Sequence, residues 1–250
     1  MSALEIILVL VAGFAAGTIN AVVGSGTLIT FPALLAVGYS PVVANVSNTL
    51  GLVPGAASSA FGYRQELRGS RTRLLRYAPW TTLGAIAGAA LLLTLPDEAF
   101  DAIVPILIAI SLVLIVLQPR ISAWITARRD RERPHGGRGL LAGIFGAGVY
   151  GGYFGAGQGI LLFGVLASAL GGDLKEVNAI RAVLAGIANA VAAVIFVLVA
   201  DIAYLPAILI AIGSTAGGLF GAGVGRRLSD AVLRTVIVVV GIAAIAQLTL

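Results

Sequence analysis

The sequence predicts an all-α polytopic membrane protein made of two inverted repeats, each a broken helix or hairpin plus three transmembrane helices. Three observations carry that expectation: the composition, a duplicated glycine pattern and the sign of the loop charges. The 250 residues are 59% hydrophobic and 11% charged. The mean hydropathy of +1.03 is higher than a soluble domain can hide in its interior. Apolar runs of about twenty residues between short polar turns suit helices that cross ~30 Å of hydrocarbon. The strands of alternating polarity that a membrane barrel requires are absent.

The glycine pattern occurs twice. Gly17, Gly24 and Gly26 in AGTINAVVGSGTLITF recur at the same spacing as Gly148, Gly155 and Gly157 in AGVYGGYFGAGQGILLF, so the chain reads as a tandem duplication. Each copy puts a Gly-x-Gly break inside a long apolar stretch. In hydrocarbon a helix is broken only where protein or a polar cavity satisfies the freed backbone groups. Two breaks at matching positions mark a transporter site.

Apolar segments run over Leu4–Val37, Val42–Tyr63, Leu74–Leu95 and Ala99–Leu117, then Leu140–Leu170, Val177–Ala200, Ile202–Val224 and Ala231–Leu248, four per copy. This divides the chain into a first membrane repeat at 1–118, a basic cytoplasmic linker at 119–139 and a second membrane repeat at 140–250. The linker sequence ARRDRERPHGGRG is too charged to enter lipid, and Trp124 is expected at the interface. Met1 to Val11 resembles a signal-peptide core, but it lacks Lys and Arg and runs straight into the first glycine motif, so it reads as retained structure.

Loop charges orient the copies. Arg64, Arg68, Arg71, Arg73 and Arg76 follow the second segment, and Arg120, Arg128, Arg129, Arg131, Arg133 and Arg138 follow the fourth. The turn after the third segment holds Asp97, Glu98 and Asp101 and no base. The positive-inside rule makes both arginine loops cytoplasmic. In the second copy the signs reverse: the sixth segment is followed by Asp201 and the seventh by Arg226 and Arg227, with Arg234 nearby. Reversal implies inversion, and inversion requires an odd number of crossings per copy. That number results if the first and fifth segments turn back at their glycines as hairpins. Eight simple spans with a weak charge signal in the last loops remain the alternative. The net charge of +5 thus reads as orientation in the bilayer rather than as a nucleic-acid surface.

The stretches AGTINAVVGSGTLITFPALLAVGYSPVVANVSNTLGL, GVYGGYFGAGQGILLF and VNAIRAVLAGIANAVAAVIFVL resemble the sulfite exporter TauE/SafE family of membrane permeases over essentially the whole chain. The ordered set is Gly-x-Gly, Pro32-Ala33-Leu34, Ala44 with Asn48, and a basic residue in the sixth segment. The resemblance implies a multi-pass protein of a bacterial inner membrane. It further implies a secondary transporter that exports a small anion such as sulfite, a sulfonate or another organosulfur anion. An ion-coupled anion importer, an anion channel and a membrane scaffold are the competing classes. A homo-oligomer is compatible with the sequence, and no cofactor is called for.

The residues support an anion site. A helix that restarts after the glycines presents unpaired N–H groups and the positive end of its dipole, which bind anions without a full charge. Gly24, Gly26, Gly155 and Gly157 let the backbone approach; Ser25 and Thr27 add hydroxyls, Gln158 adds an amide, and Thr27 or Thr30 is expected to cap a helix whose first turn holds Pro32. Asn20, Asn45 and Asn48 in the first copy and Asn178 and Arg181 in the second are polar within apolar runs, where they either face the site or bond neighbouring helices. Asn189 is equally readable both ways. Arg181 either snorkels to the cytoplasmic surface or draws an anion inward. Gly84, Gly88, Gly213, Gly217, Gly221 and Gly225 read as packing glycines.

Absences narrow the chemistry. There are no cysteines, the apolar interiors hold no Asp or Glu, and the single histidine, His135, is in the linker. No metal-ligand spacing, nucleophile set or paired carboxylate offers catalysis, so no enzyme is expected. GAGQG lacks the Lys-Ser/Thr ending of a phosphate loop. Without a titratable group on the path, anion movement is expected to follow the electrical potential.

Single cysteines introduced into this cysteine-free chain test the topology by one-sided labelling. Both termini should label from outside, and the linker and the Arg226–Arg227 turn from inside. Labelling of the linker and the Arg226 turn from opposite sides would rule out inversion.

Overall fold

The computed structural model describes residues 1–127, 137–170, 173–223 and 230–249. Among them are ten helices and no strand: α1 (Ala3–Val22), α2 (Thr27–Ala36), α3 (Pro41–Gly62), α4 (Arg71–Thr94), α5 (Asp97–Ala127), α6 (Arg138–Tyr153), α7 (Gln158–Ala169), α8 (Leu174–Val199), α9 (Tyr204–Gly223) and α10 (Asp230–Thr249). The chain is an all-α polytopic membrane protein. Five of the described helices (α1, α4, α5, α8 and α9) are long and apolar enough to cross a bilayer, and α2, α7 and Leu233–Leu248 of α10 are shorter apolar helices. Large side chains such as Leu4, Val11, Ile106, Val194, Leu198 and Ile212 are exposed on the outside of the bundle. In water such a surface would be a liability; against lipid it is solvated.

The first and fifth predicted segments are each cut in two. Gly24 and Gly155 have φ of 85° and 80°, a conformation only glycine enters at low cost, and Gly157 follows at 76°. Gly26 does not need that freedom, since its φ is −62°. It serves as the N-cap of α2 with no side-chain cap bond, so neither Thr27 nor Thr30 caps this helix and Pro32 lies past its first turn. The Gly26 amide at the start of α2 is satisfied by the Asn20 side chain, which accepts from it at 2.7 Å. α5 runs through Pro119 to Ala127, so positions 119–127, assigned to the linker from sequence, continue a helix. The rest of the linker to position 136, including His135, the Trp124 side chain, the Arg226–Arg227 turn and Gly225 lie outside the described residues.

Helix pairing crosses between the copies. α1 packs on α9 and α6 on α4; α2 packs on α10 and α7 on α5. Each pairing in one copy has its counterpart in the other. The first pair is glycine-lined on both sides: a Cβ on Gly17 would lie 2.8 Å from the Ser214 Cα, and one on Gly217 would lie 3.0 Å from the Thr18 amide. Gly84 and Gly88 meet Gly148, Val149 and Tyr153 of α6 in the same way. The reading of these as packing glycines holds for Gly84, Gly88, Gly213, Gly217 and Gly221.

Contacts also fix helix direction. Gly13 and Gly17 of α1 face Ile210 and Ser214 of α9, and Gly51 and Gly55 of α3 face the same two residues in the same order, so α1 and α3 run parallel. The chain must therefore turn back between them. α2 lies between them in the chain and packs on α1, the two helices lining one groove together with α10. α3 and α8, the corresponding helices of the two copies, run in opposite senses. Glu176 at the start of α8 accepts from Ser70 at 2.7 Å and Arg73 at 2.8 Å, beyond the end of α3. At the other end, the Ala203 amide after α8 donates to Ser47 near the start of α3 at 2.9 Å.

Gly217→Val should cost about 1–3 kcal/mol or more by overpacking backbone against backbone. Gly146, where an added Cβ meets nothing within 4 Å, should tolerate alanine and gain a few tenths to about 1 kcal/mol. Thermal unfolding in detergent reads both, and equal stability of the two variants would contradict the packing assignment.

Candidate functional site

The two breaks touch. The Gly159 amide in the first turn of α7 donates to the Gly24 carbonyl at 3.1 Å, joining the tip of one hairpin to the tip of the other. The approach requires glycine on both sides, because a Cβ on Gly159 would lie 2.5 Å from the Gly24 Cα and 2.6 Å from Arg181 Nη1. The Arg181 guanidinium lies against both glycines.

Arg181 is 1% exposed and is the largest fully buried side chain among the described residues. Its Nη2 donates to the Asn20 carbonyl at 3.2 Å and the Ala21 carbonyl at 2.9 Å, in the last turn of α1. These are carbonyls that a helix end leaves without partners, and a cation there also offsets the negative pole of the dipole. Tyr63 donates to the same Ala21 oxygen at 2.9 Å. The arginine does not snorkel. Among the described residues no carboxylate pairs with it, and the one ion pair resolved there joins Arg73 and Glu176.

Beside Arg181 is a narrow cavity of about 20 Å³, room for little more than a water molecule. Six of the twelve site candidates line it, Asn20, Gly24 and Thr27 from the first break, Gly155 and Gln158 from the second, and Arg181 from α8, together with Asn189, which the sequence left open. Two of its donors have no partner, Arg181 Nε and Gln158 Nε2. The wall is completed by Ala182, Ala185, Gly186 and Asn189 on α8, by Ala56 and Ser59 on α3, and by Gly159.

The other six candidates sit around this cavity rather than in its wall. The Ser25 hydroxyl is buried without a partner. Gly26 gives its amide to Asn20, and Asn48 is bonded within its own copy, to Thr30 and, at 3.4 Å, to Thr27. Asn45 donates to the Tyr153 carbonyl at 2.9 Å, holding the end of α6. Gly157 faces Ser111 of α5, 3.4 Å from where its Cβ would be. That serine and the Tyr150 hydroxyl fix the Ala156 carbonyl at 2.8 and 2.5 Å. Asn178 lines a separate pocket with Val22, Tyr63 and Lys175, one turn before Arg181.

The helix restarts offer fewer free amides than the sequence suggests. Leu28 and Ile29 in α2 and Gln158, Gly159 and Ile160 in α7 already donate to backbone carbonyls. The donors left for a ligand are mainly side chains. Sequence reasoning missed Gly159, Ser59 and Gly186. For α8 a signal existed: positions 182, 185, 186 and 189 fall on one helical face next to Arg181.

Helices of the two copies packed crosswise around a buried arginine and a small donor-lined cavity define a polytopic membrane protein. The family model described as "Sulfite exporter TauE/SafE" matches residues 9–248. The chain belongs to this family. A "probable membrane transporter protein" of Haemophilus influenzae is 26% identical over 230 residues, covering 91% of this chain and 88% of the relative. The Escherichia coli K12 "probable membrane transporter protein YfcA" is 26% identical over 226 residues, 90% of this chain and 82% of the relative. A "probable membrane transporter protein ORF9" of Sinorhizobium is 26% identical over 234 residues, 93% of this chain and 88% of the relative. No solved structure matches the chain. The protein is a multi-pass membrane transporter of the bacterial kind, and its relatives' names place it among transporters rather than enzymes.

Proposed function

We propose that this chain is a secondary transporter that carries a small anion, a sulfur oxyanion or sulfonate, outward by alternating access between two inverted halves. The observation that carries the reading is Arg181: a buried guanidinium that, among the described residues, has no carboxylate partner and an unpaired Nε, beside a cavity also lined by Gln158, whose Nε2 is unpaired. A buried charge is costly unless paired, and neutral carbonyls compensate it only in part. An oxyanion accepts from several donors at once and supplies the missing charge. The family name supports sulfite as the type of cargo.

The cavity's size supports a carrier over an open channel. At about 20 Å³ it admits an oxyanion only if the halves separate. The antiparallel course of α3 and α8 supports two inverted halves that rock against one another. Export needs no coupling ion, since an inside-negative potential drives an anion outward by roughly 2.3 kcal/mol per charge per 100 mV.

Arg181→Gln keeps most of the shape and removes the charge. Calorimetry with sulfite on folded protein should show affinity lower by about 1–3 kcal/mol, roughly 5- to 150-fold. Arg181→Lys should retain part of it. Unchanged binding by a folded Arg181→Gln protein would refute the site.

A further inference from the structure

Resting on the anion-carrier reading, we infer that Asn45 and Asn178 are matched latches at opposite ends of the transport path. Asn45 shuts the outer end in this structure, and Asn178 shuts the inner end, on the Val22 carbonyl, when the outer end opens. The two residues correspond by position. Asn45 is the fifth residue of α3 and Asn178 the fifth of α8, while Tyr153 and Val22 are the last residues of the broken helices α6 and α1. Because α3 and α8 are antiparallel, the two asparagines lie toward opposite ends of the pair. The arginines that follow α3 lie at the Asn178 end, where Arg73 meets Glu176, so the positive-inside rule makes that end cytoplasmic.

The corresponding residues are in different states. Asn45 is buried, and its Nδ2 donates to the Tyr153 carbonyl at 2.9 Å. The Tyr153 ring continues into an edge-to-face cluster with Phe100, Phe154 and Phe31, all buried. At the other end Asn178 is half-buried and makes no hydrogen bond to a described residue. It shares a pocket of about 240 Å³ with Val22, Tyr63, Leu174 and Lys175. Val22 and Val23 stand there in place of Tyr153 and Phe154, so no aromatic cluster fills the space. The Asn20 and Ala21 carbonyls are already taken by Arg181 and Tyr63. Val22 supplies the next carbonyl that a helix end leaves without an intrahelical partner. Inverted halves that exchange conformations exchange these two contacts. The outer latch is a single bond, since the Asn45 Oδ1 has no partner, and the inner latch replaces it with one of the same kind.

A reporter in the cysteine-free chain tests the exchange: Ala156→Cys, in the break after α6 and buried in this structure. It is labelled in proteoliposomes from the outer face with a membrane-impermeant maleimide. Asn45→Ala should raise the labelling rate about fivefold, the worth of one hydrogen bond, and Asn178→Ala should lower it by a similar factor. Asparagines that serve packing alone would not give opposite signs. If Asn45→Ala does not fold, the pair Val22→Cys and Asn178→Cys reads the inner closure instead: mild oxidation should cross-link it reversibly in the folded protein. Changes of the same sign, no change in either variant, or a pair that does not cross-link would overturn the latches and leave the Arg181 site standing. Failure of the wild type to bind sulfite by calorimetry would instead overturn the anion reading on which the inference rests.

Discussion

The interaction on which the rest depends is the bond from the Arg181 guanidinium to the end of α1. A helix broken inside a membrane leaves carbonyls that lipid cannot satisfy. Here a side chain from the other copy meets them, with Arg181 of α8 on the Asn20 and Ala21 oxygens. The second break is held in the corresponding way, by Asn45 of α3 on the Tyr153 oxygen that ends α6. Each half thus ties down the broken helix of the other. The two ties differ in one respect: only one brings a charge, and that charge has no carboxylate to answer it among the described residues.

Glycine does two separate jobs in this architecture. Along α1, α4, α6 and α9 it removes side chains so that backbones touch, as at Gly17 against Ser214 and Gly88 against Tyr153. Without a hydrophobic drive between helices in lipid, that closeness is a main source of packing energy. At Gly24, Gly155 and Gly157 it supplies positive φ for the reversals. Gly159 belongs to the first kind but acts at the site, since its bare Cα is what lets the other hairpin tip and the Arg181 guanidinium approach.

Most of the architecture was legible in the sequence because it was written twice. The duplicated spacing located both breaks, where α1 gives way to α2 and α6 to α7. Half of the candidate site residues were legible too, because a charge or amide inside an apolar run has few uses. The remainder failed for a geometric reason. Asn45, Asn48 and Arg181 all read as polar residues within apolar runs, but only their contacts decide that Asn45 holds α6, Asn48 stays with α2 and Arg181 reaches the cavity. Gly26 and Gly157 occupy matching positions in the repeat yet differ in φ, because Asn20 draws the Gly26 amide and the Gly157 position has no such partner. Gly159 and Asn189 owe their position to the meeting of two halves that are far apart in sequence.

The central claim is that the unanswered charge of Arg181 binds the transported anion, and a crystal structure with selenite in place of sulfite tests it most directly. Selenium scatters anomalously, so its position is read without interpretation of weak density. The account predicts one principal peak in the central cavity, within about 4 Å of Arg181 and Gln158 nitrogens. Selenite bound only at the arginine-rich loops, with the central cavity empty at saturating concentration, would contradict it.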